Sequence, residues 1–124
     1  MYFFRYIVEE ENIPVWTVRF FKTEGGTEPV RDWIKEHSQE EMKLIGGAIK
    51  DVQFMKQWSA PLVKYLRDGV FEIRVNLVST TARVLFFRAA DRLILVHAFA
   101  KKTRATPASD LDLALKRKRQ YEQN

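Results

Sequence analysis

Cysteine is absent from this 124-residue chain, and histidine occurs only twice. Disulfides, thiol nucleophiles and Cys/His zinc sites are therefore excluded or nearly so. No apolar run approaches the roughly 18 residues that a membrane helix needs. The opening MYFFRYIVEEEN is aromatic, but Arg5 interrupts it, glutamates follow and no small-residue cleavage site appears, so it is a poor secretory signal. A cytoplasmic chain without membrane contact is expected. Repeats, low-complexity tracts and linkers are also missing, and with 46% hydrophobic residues the length suits one compact domain.

Charge is present but unevenly placed. Residues 64–124 carry 13 Lys and Arg against 6 Asp and Glu, whereas residues 1–63 carry 8 against 10. A basic C-terminal half points to a polyanion or an acidic partner.

The apolar pattern predicts an α+β fold in β-α-α-β-β-β-α order. VWTVRFFKT, residues 15–23, reads as a strand stopped by the Gly-Gly that follows. Pro29 opens a short helix with Val30, Trp33, Ile34 and His37 on one face. Ser38 to Glu41 fits a capping box for a second helix, along which Met42, Ile45, Ile49 and Val52 keep helical spacing. Gly46 and Gly47 lie inside that helix, and close packing against the sheet would explain them. Residues 70–77, 81–89 and 92–100 then read as an antiparallel meander of three strands, and a last helix begins at Ser109. Two helices are expected to cover one face of a small antiparallel sheet. Residues 1–14 form an N-terminal extension to the domain, expected to pack through Phe3, Phe4 and Tyr6.

Several residues could carry chemistry. Lys116 to Arg119 end the last helix and Asp110 and Asp112 open it, which is the distribution that the helix dipole favours without any ligand. Lys101, Lys102 and Arg104 lack that explanation, because they sit where a core strand ends. Paired across a short turn, residues 70–77 and 82–89 would set Arg83 opposite Asn76 with Arg74 diagonal to it. A strict hairpin to the last strand would place Ala98, Ala100 and Lys102 on the same face. Fixed cations over small alanines would hold a phosphate and favour the charge that develops when it is attacked. The other reading pairs Arg74 with Glu72 or Asp68 on a solvated face. Plain alternation puts His97 on a stripe with Leu93, Leu95 and Phe99, where a hydrogen-bonded core histidine is the commoner outcome.

KYLRDGVFEIRVNLVSTTARVLFF, followed by LILVHAFAKKTRATPASDLDLALKRKRQY, resembles the RelE/HigB-type toxins of bacterial toxin–antitoxin systems, above all the phage-derived HigB-like branch of the RelE/ParE superfamily. The likeness begins at WTVRFFKTEGGTEPVRDWI and spans roughly residues 16–121. It rests on the leucine-rich strand, the x-F-x-KKT step, the short Thr-Pro loop and the arginine-rich last helix.

The resemblance implies a metal-independent and cofactor-free endoribonuclease, an mRNA interferase that halts translation by cutting ribosome-bound mRNA. In that chemistry the RNA's own 2′-hydroxyl attacks the neighbouring phosphate. By motif, the arginine of the middle strand falls on Arg83, the basic position before it on Arg74, and the lysines after the last strand on Lys101 and Lys102. Two departures stand out. Glu72 replaces a second basic residue found in some relatives, which leaves it a candidate base or a salt-bridge partner; and the last helix has no tyrosine or histidine just inside its start. A rim of Lys64, Arg67, Lys101, Arg104, Lys116 and Arg119 would touch RNA. The resemblance also implies a helix-turn-helix antitoxin as partner. Two other functions fit the fold: a DNA gyrase inhibitor of the ParE kind, and a non-catalytic antitoxin-binding relative.

Overall fold

The computed structural model describes residues 13–124. The expected packing of Phe3, Phe4 and Tyr6 lies outside the described residues. The chain is α+β, with strands β1 (Thr17–Phe20), β2 (Val63–Arg67), β3 (Val70–Asn76), β4 (Thr81–Ala89) and β5 (Arg92–Lys101), and helices α1 (Pro29–Lys35), α2 (Gln39–Gln53) and α3 (Ala108–Glu122). The sheet order is β1-β5-β4-β3-β2.

The sheet is mixed, where an antiparallel one was expected. β1 runs parallel to β5, with Thr17 beside Arg92 and Phe20 beside Leu95, while the other pairs are antiparallel. A parallel neighbour needs a long connection, and the segment carrying α1 and α2 supplies it. β1 is also shorter than predicted: the Val15 and Trp16 amides donate to the Gln53 carbonyl at the end of α2, not to the sheet.

β2 was not foreseen, because VKYLR is short and places Lys64 and Arg67 among its apolar residues. It forms the outer arm of a hairpin whose turn is Asp68-Gly69, at φ 50° and 82°. Both residues are left-handed, as a two-residue turn between twisted strands requires, and only glycine adopts that conformation without strain.

The local signals act as read for α2, where the Ser38 hydroxyl accepts from the Glu41 amide at 3.2 Å. Its buried stripe of Ile45, Ala48, Ile49 and Val52 packs with Val30 of α1 against Ile73, Val75, Val84, Phe86, Leu93 and Leu95 of the sheet. Two helices thus cover one face. Gly46 and Gly47 take no part in it, contrary to expectation: both are exposed, and a Cβ added at either would meet nothing within 4 Å.

α3 covers part of the opposite face, setting Ala114 and Leu115 against Val70, Leu85, Phe87, Ile94, Val96 and Phe99. It begins one residue earlier than predicted, at Ala108. His97 Nε2 and Asp110 Oδ1, 2.6 Å apart, tie its first turn to β5. Arg117 reaches back from the same helix to donate to the Val96 carbonyl at 2.8 Å. Burial pushes the Arg117 guanidinium below its usual value.

Candidate anion-binding cleft

Two irregularities of the sheet set what the open part of the α3-side face presents. The first is the turn between β3 and β4. Asn76 pairs with Thr81, so residues 77–80 form a four-residue loop in which the Leu77 amide donates to the Thr80 carbonyl. A two-residue turn would have set Arg83 opposite Asn76; the longer loop slides the register by two and sets Arg83 directly opposite Arg74. A slip of two leaves each side chain on its own face, so the two guanidinium groups still project together.

The second is a bulge. Leu85 pairs with His97 but Phe86 with Leu95, leaving Val96 as an extra residue in β5. One added residue reverses the alternation beyond it. Phe99, not Ala98 or Ala100, is therefore the partner of Arg83, and Ala98 belongs to the core on the other face. The same reversal separates His97 from Leu93 and Leu95 and stacks it beside Phe99, with ring centroids 5.5 Å apart. Arg83 lies beside an aromatic ring of the core: its guanidinium carbon is 5.9 Å from the Phe99 centroid.

Arg74 and Arg83 line a cleft of about 690 Å³ together with Lys64 from β2, Lys102 and Arg104 from the loop after β5, and an apolar wall that includes Pro61 and Leu62. Five cations line it and no carboxylate does, among the described residues. Arg83 is 2% exposed, and its Nε and Nη1 have no hydrogen-bond partner among the described residues. Its Nη2 donates to the Thr103 carbonyl. A buried guanidinium with idle donors is costly unless something else meets them. Both nitrogens are shielded from solvent, so an anion entering the cleft would meet them only with a local shift.

Glu72 lies behind this surface and is fully buried. Its Oε1 accepts from Arg74 Nε at 2.6 Å and its Oε2 from the Thr106 hydroxyl at 2.5 Å. Arg74 also donates through Nη2 to the Arg104 carbonyl at 3.0 Å. Arg74 thus pairs with Glu72, but inside the fold and not on the solvated face that the alternative reading expected, and it also lines the cleft.

The cleft gathers Lys64, Arg74, Arg83, Lys102 and Arg104 of the residues singled out from sequence. Arg67, Lys101, Lys116 and Arg119 do not line it. Arg67 pairs with its neighbour Asp68 at 3.2 Å, and Lys116 and Arg119 lie on the exposed side of α3. Thr103 and Thr106 were missed as site residues. The Thr-Pro step before α3 was visible, but nothing in the sequence connects it to a carboxylate 34 residues away.

Among the described residues no group of three or more His, Asp or Glu side chains could hold a metal ion, and no helix is long and apolar enough to cross a membrane. No curated protein matches the chain. Residues 32–119 match the family described as phage-derived protein Gp49-like (DUF891), a family of toxins from toxin–antitoxin systems, whose members are made with an antitoxin partner. The chain belongs to this Gp49-like family, within the RelE/HigB-like group of toxins.

Proposed function

We propose that this toxin is an endoribonuclease that cuts ribosome-bound mRNA without a metal, by attack of a ribose 2′-hydroxyl on the adjacent phosphate, which breaks the bond to the 5′-oxygen of the next nucleotide and leaves a 2′,3′-cyclic phosphate and a 5′-hydroxyl. The observation that carries the reading is the buried Arg83, with two idle donors, set opposite Arg74 in a cleft bordered by three more cations. Guanidinium groups match two phosphate oxygens at once, and they hold a pentacoordinate phosphate more strongly than the ground state because it carries more charge. Fixing them beforehand spares reorganisation during the reaction.

Arg83 is the principal phosphate ligand, and Arg74 and Lys102 complete the anion site. Glu72 is a clamp for Arg74, with one oxygen taken by Arg74 and the other by Thr106. Lys64 and Arg104 guide the strand across the cleft by its phosphates, and the apolar wall at Pro61 and Leu62 offers an unstacked base a surface. Arg67, Lys101, Lys116 and Arg119 lie outside the cleft and serve a wider contact with ribosomal RNA. The antitoxin is a helix-turn-helix protein whose acidic surface meets the basic half of the chain.

Induction in a bacterial host, with transcript 5′ ends mapped by primer extension, tests this. New ends in phase with codons are expected. They should vanish in the Arg74→Ala/Arg83→Ala double variant, whose folding is checked by circular dichroism. Intact transcripts with DNA damage signals would make the protein a gyrase inhibitor instead, and harmless expression a non-catalytic antitoxin partner.

A further inference from the structure

Thr106 precedes Pro107, the residue that caps α3, and a threonine near a helix start ordinarily turns its hydroxyl to the helix amides. Here α3 has no side-chain cap, and the Thr106 hydroxyl donates to Glu72 Oε2 at 2.5 Å. Glu72 in turn accepts from Arg74 Nε, and Arg74 Nη2 donates to the Arg104 carbonyl, two residues before Thr106. These contacts close a ring of Thr106, Glu72, Arg74 and Arg104. The loop that supplies Thr106 also supplies the Thr103 carbonyl, which takes Nη2 of Arg83.

A fully buried carboxylate needs both oxygens satisfied, because an unmet lone pair in that setting costs more than a surface bond contributes. One arginine nitrogen and one hydroxyl meet this need. Without the hydroxyl, Oε2 would have to find another donor, and the Arg74 guanidinium, already held to Oε1, is a flexible one at hand. Arg74 would then turn from the cleft toward Glu72, and the loop would lose its tether.

We propose that Thr106 is a positioning residue of the phosphate site: through Glu72 it holds the Arg74 guanidinium facing the cleft and fixes the loop of residues 102–107 that receives Arg83. The proposal rests on reading the cleft as a phosphate site. It explains why a threonine stands before Pro107 with its hydroxyl turned away from the helix, and why a carboxylate is kept beneath a surface built for anions.

The test compares Thr106→Val, which keeps the shape and removes the hydroxyl, with Thr106→Ser, which keeps the hydroxyl. Two readouts are taken by NMR: the Arg74 Nε–H resonance, which reports its bond to Glu72, and titration with inorganic phosphate. The wild type and Thr106→Ser should show a sharp, exchange-protected Arg74 signal. Thr106→Val should lose it and bind phosphate roughly tenfold more weakly, the scale of one hydrogen bond to a charged group. Thr106→Ala removes the same hydroxyl, should give the same two losses, and replaces Thr106→Val if that variant does not fold.

An Arg74 signal unchanged by Thr106→Val overturns the proposal whether or not phosphate binds. A lost signal with undiminished phosphate affinity overturns it too. If phosphate fails to perturb Arg74 and Arg83 even in the wild type, the phosphate reading of the cleft falls, and the Arg74 resonance still decides whether Thr106 positions that side chain.

Discussion

Arg74 and Arg83 stand directly opposite one another on neighbouring antiparallel strands, yet they are held in different ways. Arg74 is neutralised by Glu72 at 2.6 Å, whereas Arg83 is buried against Phe99 with two nitrogens unmet among the described residues. Like charges set opposite each other on a sheet repel. The Glu72 carboxylate offsets that repulsion for one member of the pair and leaves the other poised for an external anion.

This asymmetry predicts a trade between stability and function at Arg83. Replacing a buried ion pair with apolar side chains of similar volume is often neutral or stabilising, by about 1–4 kcal/mol, and a buried guanidinium with unmet donors carries the same desolvation cost. Arg83→Met should therefore melt at the same temperature as the wild type or higher, while RNA cleavage is lost. A clear fall in melting temperature would mean that the bond to Thr103 and the Phe99 contact already satisfy the arginine.

Glu72→Gln separates two roles for that residue. Loss of a general base lowers the rate by about 10²- to 10⁴-fold. If Glu72 acts only as a clamp, cleavage at saturating RNA should stay within about tenfold of the wild type, with the loss appearing mainly in binding. Single-turnover cleavage across RNA concentrations distinguishes the two.

Salt dependence locates the RNA. Each phosphate neutralised by a cation contributes about 0.7 to the slope of log affinity against log salt for a single strand. Lys64→Ala and Arg104→Ala should each weaken binding of a short single-stranded RNA and flatten that slope by about this amount. Lys116→Ala and Arg119→Ala should leave it unchanged, because neither lines the cleft. Filter binding at several salt concentrations measures all four.

The α+β class, all three helices and the three long strands were legible because they rest on local signals, such as the Pro29 start, the Ser38 cap and the alternation of residues 70–77. What was not legible depended on single-residue counts. A bulge at Val96 reverses the faces of His97 to Lys101, and no alternation rule reveals it, since residues 93–96 are apolar on both faces. The Val96 carbonyl at the bulge is met by Arg117, 21 residues further on. β2 was readable in principle from Asp68-Gly69, a strong hairpin signal obscured by the charges around it. The arginine pair survived its register error only because the slip was even. The clamp of Glu72 by Thr106 joins distant segments and required the folded chain.

Arg117 gives a stability prediction tied to that bulge. Its guanidinium donates to the Val96 carbonyl at the bulge, and removing a donor from a buried acceptor costs about 1–3 kcal/mol. Arg117→Ala should lower the melting temperature and speed amide exchange in α3 before the rest of the fold opens. Uniform loss of protection throughout the sheet would show instead that α3 and the sheet open as one unit.

Gly46 and Gly47 provide the opposite case. Both occupy an ordinary helical interior in α2, on its exposed side, where an added Cβ meets nothing within 4 Å. Neither has the positive φ that would demand glycine. Glycine in a helix costs about 0.5–1 kcal/mol relative to alanine, largely through the freedom it gives the unfolded chain. Gly46→Ala and Gly47→Ala should each stabilise the free protein by about that amount, and together by nearly the sum. Thermal denaturation of the free toxin measures this gain. Repeating the melt with the antitoxin bound adds a second result: a smaller gain in the complex would mean that the bare backbone of α2 is an antitoxin contact, and an equal gain would place that contact elsewhere.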